Sequence, residues 1–355
     1  MKTVKLIFAF FAFMCFLSCG TYYRMVTAID GKGNAQREIY ALGDSAFLSG
    51  NLVSHPFLFE LTPDWRIMPL DSVIKYDFFG TEKSLNVKIS KHTNSIENFS
   101  KELQYDANKQ SLAAPEESLI IKKRWFYTSY SLKVVYKKLQ YEVPISIDDY
   151  LSKEEQMLLT QGDFSNYKLF NGSEMNDYLG DINEKFMKWY TDNCFEVSFQ
   201  LIKKHTEKYD LDADREAIYK QLRDHIKGED EFNINPEAVC SLLDSFHKTT
   251  YFSKLYKSHS ETLDKEFNNV FASVDLIGNV ISYELILPGE LITVSSCSYH
   301  SGTIFWKIDG MRLLFDDLTF TAHSRVKNKW AFRITGLLLV VVVGSAVLLA
   351  KRRAS

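Results

Sequence analysis

The 355-residue sequence predicts an α+β protein, an antiparallel β domain split by a helical insertion and followed by a transmembrane helix. Three observations predict it. Short runs rich in β-branched and aromatic residues, separated by Gly- and Asn-containing turns, occupy residues 20–147 and return at 271–329. Between them, over residues 148–270, apolar residues recur at intervals of three and four. After the last strand run comes Ile334–Ala350, 17 residues without a charge, followed by Lys351, Arg352 and Arg353.

The first segment, residues 1–19, reads as a lipoprotein-type signal peptide. Lys2 and Lys5 form a basic start, and Leu6–Leu17 is an apolar run too short for a comfortable membrane span. Ser18 then precedes Cys19, the pattern of a bacterial lipobox, in which the cysteine is diacylated. Phe16 and Leu17 match it imperfectly, because a leucine usually stands one place earlier. Cys19 is the expected lipidation site.

The strands follow in order. Tyr22–Ala28 and Gln36–Tyr40 flank Asp30-Gly-Lys-Gly-Asn34, a hairpin turn. Val73–Phe78 and Leu85–Ile89 flank a second turn, expected over Gly80–Ser84. Asn94–Tyr105 reads as a short helix, and Leu119–Leu139 as one long strand or two. From Asp148 the period turns helical. Ser152-Lys-Glu-Glu155 is a capping box, 173–209 a long helix or a broken pair, and 214–227 a further one. Asn235 caps a helix with Pro236 in its first turn, and Ser260–Phe271 is the last. Strand character resumes with Val280–Leu287, Leu291–Val294, Thr303–Ile308 and Leu318–Val326. The first and last strands are expected to meet in one sheet.

The charged flanks of the C-terminal helix are nearly balanced, with Arg325, Lys327, Lys329 and Arg333 before it and three cations after it. They do not orient it alone. An export signal at residues 1–19 does, leaving the bulk of the chain on the periplasmic side of a bacterial inner membrane. Residues 330–350 then cross it, and the tail 351–355 is cytoplasmic. Trp330 and Phe332 suit the outer interface. At ~1.5 Å per residue the charge-free run is about 26 Å long, slightly short of a hydrocarbon core of ~30 Å.

Leu287-Pro-Gly-Glu290, Ser301-Gly-Thr-Ile-Phe-Trp306 and Leu318-Thr-Phe-Thr-Ala-His-Ser-Arg325, followed by a membrane helix, resemble the LppM-type family of membrane-anchored bacterial lipoproteins. The opening strand, Asp30-Gly31 turn and next strand are similar to the family's start. The resemblance covers the two β arms and has no counterpart for the helical insertion. It implies an envelope β domain near a membrane and supplies no catalytic residues.

Candidate chemistry is sparse. Gly43-Asp44-Ser45 resembles the nucleophile block of SGNH-type esterases, and Asp244-Ser-Phe-His247 has their Asp-x-x-His spacing. The motif sits among antiparallel strands, and no Gly-x-Asn-Asp block supplies oxyanion donors, so Ser45 as nucleophile is an alternative to a non-enzymatic reading. Asp210–Asp214 imitates a calcium loop but has Arg215 where Gly is needed and Gln221 where Glu is needed. The eight histidines show no metal-ligand spacing, and no phosphate-binding loop is present. No metal or cofactor is expected. A net charge of −3 gives no reason to expect nucleic acid. Cys194 and Cys240 are the one pair worth testing as a disulfide.

Lys122-Lys-Arg-Trp-Phe-Tyr127 is the richest surface candidate, with Lys122, Arg124, Trp125 and Tyr127 expected to bind. The expected partner is membrane lipid, with another envelope protein or a glycan as alternatives. A plain strand with Phe126, Tyr130, Leu132, Val134 and Tyr136 on its core face explains the same residues. The sequence thus points to an envelope lipoprotein that binds or organises a partner, and not to a reaction.

Overall fold

The computed structural model describes residues 21–354 except 58, 60, 79, 104–113, 162–170, 207, 226–233, 273 and 296–297. Cys15, Cys19 and Cys297 lie outside the described residues. The chain forms two compact units: a β unit of Gly20–Lys137, Asn279–Asp309 and Asp317–Ser355, and a helical unit of Lys138–Gly278 and Gly310–Asp316.

The β unit begins with β1 (Tyr22–Ile29) and β2 (Ala35–Ala41). The turn between them is held by Asp30, whose carboxylate accepts from the backbone N–H of Lys32 and Asn34 at 2.8 and 2.9 Å. A four-residue helix, α1 (Ser45–Leu48), follows, and then β3 (Arg66–Phe78) and β4 (Thr81–Thr93). Phe78 pairs with Thr81, so Thr81–Ser84, expected in the turn, are strand. Gly80, at φ +93°, takes a conformation that side-chain-bearing residues rarely adopt. Pro69 lies where the β3–β4 pairing slips, at an edge strand, where a missing N–H costs least. The first arm ends with α2 (Glu97–Leu103), β5 (Glu116–Lys123) and β6 (Tyr127–Tyr136).

The helical unit contains α3 (Lys153–Gln161), α4 (Gly172–Lys204), α5 (Leu211–His225), α6 (Pro236–His247) and α7 (Tyr251–Phe271). Ser152 and Glu155 form the capping box in both directions. The 33-residue α4 runs unbroken, buries Trp189, Phe195 and Phe199, and is capped by Asn171. On its inner face Asp192 accepts from the hydroxyls of Tyr150 and Tyr219 and from Arg223, tying α4 to α5 and to the segment before α3. Burial, then the Asp192 carboxylate, pushes the Tyr219 hydroxyl up to about 12. The last helix begins at Tyr251 rather than Ser260, because Asp244 of α6 caps it from outside. Its carboxylate accepts from the N–H of Phe252 and Ser253, both at 2.9 Å. Cys194 and Cys240 are buried free thiols, so they form no disulfide. Burial, then Asp244, raises Cys240 to about 12.

The return arm supplies β7 (Val280–Ile286), β8 (Glu290–Val294), β9 (Ser298–His300), β10 (Thr303–Asp309) and β11 (Leu318–Lys327), and then α8 (Lys329–Ala354). One sheet has the order β3-β4-β2-β1-β7-β10-β9 and the other β5-β6-β11-β8. Both sheets draw strands from both arms, which makes the split domain one folding unit. The arms join where β1 runs parallel to β7, Tyr22 opposite Val280 through Ala28 opposite Ile286. The other described pairings are antiparallel.

The first and last strands do not share a sheet, contrary to the sequence expectation. β11 pairs with β6 over its whole length, and β1 lies in the larger sheet. The alternation of β11 explains this. Leu318, Phe320 and Ala322 are buried on one face, and Phe320 stacks on Trp306 of β10 across the two sheets, centroids 5.0 Å apart. That apolar face is satisfied only opposite the larger sheet.

Candidate membrane-facing surface

The candidate surface forms where β11 runs into α8. β5 and β6 are a hairpin in which Lys123 pairs with Thr128, and the Arg124 N–H donates to the Tyr127 carbonyl at 2.8 Å. The period-two pattern holds along β6, where Tyr130, Leu132, Val134 and Tyr136 are buried and Lys133 is exposed. Toward the tip the pattern stops. Lys122, Lys123, Arg124 and Trp125 are exposed, and Tyr127 is half-buried.

Asn328, the residue between β11 and α8, binds this tip with its backbone N–H and with both ends of its side-chain amide. Its backbone N–H donates to Phe126 O at 2.8 Å, and its side-chain amide donates to Arg124 O at 2.7 Å and Trp125 O at 3.1 Å. Its side-chain carbonyl accepts from the Thr128 hydroxyl at 3.1 Å, and its backbone carbonyl takes the Ala331 N–H at 2.9 Å. Asparagine supplies both donors and an acceptor on one short side chain, which this geometry requires.

Aromatic contacts extend the joint. Trp125 meets Trp330 edge-on at 5.1 Å, while Phe126 and Tyr127 meet Phe332 at 4.8 and 5.9 Å. The Trp125 indole N–H donates to the Thr335 hydroxyl at 2.9 Å, so the hairpin tip lies alongside the second turn of α8. Arg325 stacks over Tyr127 at 5.0 Å and pairs loosely with Glu290 at 3.8 Å.

Beyond this joint α8 touches little. Lys329–Arg352 is 24 residues long, and its most apolar 18-residue stretch has mean hydropathy 2.3 and nothing buried. That is long and apolar enough to cross a membrane, and leucines and valines exposed on every side of a helix are unfavourable in water. The helix fits a membrane-associated protein.

The structure places the four sequence candidates at this one hairpin tip, sets Trp125 and Tyr127 against α8 and ties the Arg124 backbone to Asn328. Sequence reasoning missed Asn328 and Thr335. A lone Asn between a strand and a helix reads as an ordinary boundary, and nothing local shows which carbonyls it will meet.

The esterase residues are used otherwise. Asp44 is the N-cap of α1, accepting from the Phe47 N–H at 2.7 Å, and Ser45 is that helix's first residue. Asp244 caps α7, as described above. Ser45 belongs to the β unit, and Asp244 and His247 to the helical unit. Asp210 reaches the Ala213 N–H, and Asp212 and Asp214 pair with Lys203 and His247. Among the described residues no three His, Cys, Asp or Glu side chains gather as metal ligands.

Within the β unit lies a second polar cluster, wholly interior. Arg37 of β2 donates to Glu117 of β5 at 2.5 Å, both side chains fully buried, and to Thr27 at 3.1 Å. Tyr283 donates to the same Glu117 oxygen at 2.5 Å, and the Arg37 guanidinium lies over the Phe99 ring at 4.5 Å. Burial presses Arg37 toward its neutral form, and the Glu117 carboxylate more than reverses this. Burial, then that same carboxylate, raises Tyr283, which keeps its hydroxyl protonated as a donor.

No family model and no curated protein matches the chain. Among solved structures it is similar to the folded domain of LppM from Mycobacterium tuberculosis, at 6% identity over 87% of this chain and 91% of that one, with a TM-score of 0.28. This likeness is weak, is confined to the level of the fold and assigns no activity.

Proposed function

We propose that the chain is a membrane-anchored envelope lipoprotein that binds or organises a partner outside the bacterial inner membrane, without catalysing a reaction. In this reading Cys19 carries the lipid, α8 crosses the bilayer, the two units stand on the periplasmic side, and Lys351, Arg352 and Arg353 remain in the cytoplasm. One observation carries the reading. β11 ends at Lys327, α8 begins at Lys329, and Asn328 bonds the joint to a neighbouring hairpin, so no flexible linker separates the β unit from the apolar helix. Such a joint suits a module held at a fixed height over a membrane, where a free enzyme domain would be served by a tether. The expected partner is lipid, or another envelope protein or glycan reached by the helical unit.

The test combines topology and activity. Cysteines introduced at Lys133 and at Ser355 should label from outside and inside the inner membrane respectively, and mass spectrometry should find an acylated Cys19. Labelling of both from one side refutes the topology. Ester hydrolysis by the parent chain that disappears in Ser45→Ala refutes the non-enzymatic reading.

A further inference from the structure

We infer that the β5–β6 hairpin tip is a second membrane contact, a wedge in the outer leaflet whose cations bind acidic phospholipid headgroups. This rests on the reading above, in which α8 spans the bilayer. Depth is the first argument. Trp125 bonds to Thr335, one residue into the charge-free run that starts at Ile334. If that run lies in hydrocarbon, the tip lies at its edge. Trp125 suits this place, because its indole N–H is already satisfied by Thr335 while half of its surface stays exposed (50%). The run is also slightly shorter than a bilayer core, and an apolar wedge beside its outer end offsets the mismatch.

Charge is the second argument. Lys122, Lys123 and Arg124 are exposed, and none pairs with an acidic side chain among the described residues. Elsewhere in the same unit some exposed lysines find partners, as Lys75 does with Glu82 and Lys137 with Asp317. The third argument is the start of α8, which holds Lys329 and no acidic residue in its first turn. A cation there opposes the helix dipole, an arrangement that anionic surroundings relieve. Three cations on a rigid tip, level with the end of an apolar span, match the phosphates of acidic glycerophospholipids. The tip's shape does not depend on these charges, since Asn328 holds it by the carbonyls of residues 124 and 125.

The test uses the full chain in nanodiscs of phosphatidylcholine doped with phosphatidylglycerol, with retained lipids read by native mass spectrometry. The parent should retain phosphatidylglycerol preferentially, and the preference should fall about fivefold for each cation removed in Lys122→Gln, Lys123→Gln and Arg124→Gln. Equal retention in parent and triple variant overturns the inference. Quenching of tryptophan fluorescence by brominated acyl chains should drop in Trp125→Phe, and unchanged quenching also overturns it. Resistance to alkaline carbonate extraction reports on anchoring by α8 and the Cys19 lipid, and not on the tip. A chain that inserts but shows no lipid preference defeats the wedge, whereas a chain that fails to insert defeats the reading beneath it.

Discussion

Arg37 and the Lys122–Arg124 cluster belong to one folded unit, yet they are treated in opposite ways. Arg37 is sealed between the two sheets, with a carboxylate, a hydroxyl and an aromatic ring around its guanidinium. Lys122, Lys123 and Arg124 stand in the open without a counter-charge among the described residues. A buried ion pair gives up the hydration of both groups and repays it only by geometry, so it is weak evidence for net stability but strongly specifies which strands face each other. Here it fixes β2 against β5, one strand from each sheet. An exposed cation loses nothing by standing alone. The difference separates charges used to hold the fold together from charges left available to something outside it.

The largest effect should come from breaking the buried set. Arg37→Met leaves Glu117 charged and uncompensated, and should cost about 3–5 kcal/mol in a urea melt. Glu117→Leu added to it should recover much of that loss, because Arg37 Nη1 and Glu117 Oε2 are already buried without a hydrogen-bond partner among the described residues. A single variant as stable as the parent breaks the comparison at its first term. Next in size is Asn328→Ala, which removes three side-chain hydrogen bonds at the joint and should cost ~1–3 kcal/mol. Amide exchange at Arg124 and at residue 328, whose N–H groups close the tip and the joint, should accelerate while exchange along β1 and β7 stays as it was.

The two regions also differ in how far the sequence revealed them. The cations and aromatics of residues 122–127 were legible as a local signal, although the sequence laid them along a strand and not at a turn. So were the hairpin at Asp30, the capping box at Ser152 and the Asn235-Pro236 helix start, each decided by residues within four of one another. The Arg37–Glu117 pair was not legible. Its partners lie 80 residues apart, and an Arg on a strand reads as solvent-facing until the opposite sheet is in place. The start of α7 was missed for a related reason, since its cap, Asp244, belongs to the preceding helix. The parallel join of β1 to β7 follows from the insertion between them and leaves no mark in either strand. Pairings made by tertiary structure are written in two distant places, and neither place is informative alone.

A smaller effect should appear in acid. Burial works to raise the Glu38 carboxyl, but hydrogen bonds from Tyr40 and Lys88 outweigh it and hold the group below its ordinary value of 4.5. A carboxyl depressed in the folded state stabilises above its unfolded pKa, and that contribution is lost as pH falls through the folded value. The group is partly open to solvent, so the term stays under about 1 kcal/mol. Glu38→Gln should therefore lose a little stability at pH 7 and fall less steeply than the parent on acidification through this window. Asp30, Asp148 and Glu155 are depressed as well and share the parent's acid limb, so the readout is the difference between the two profiles. An identical slope for Glu38→Gln and parent below pH 5 removes Glu38 from the paired set.

The smallest effect is the sharpest for the comparison. Lys122→Gln with Lys123→Gln should change the unfolding free energy in detergent by less than ~0.5 kcal/mol, the usual range for exposed positions without partners. Both residues keep their strand pairing, because Ser129 and Thr128 oppose them through the backbone alone. A destabilisation above 1 kcal/mol would mean that these lysines hold the hairpin to α8, and the cations at the joint would then have to be counted with Arg37. A silent pair leaves two sets of charge that can be changed independently, one altering the fold without the surface and the other the surface without the fold.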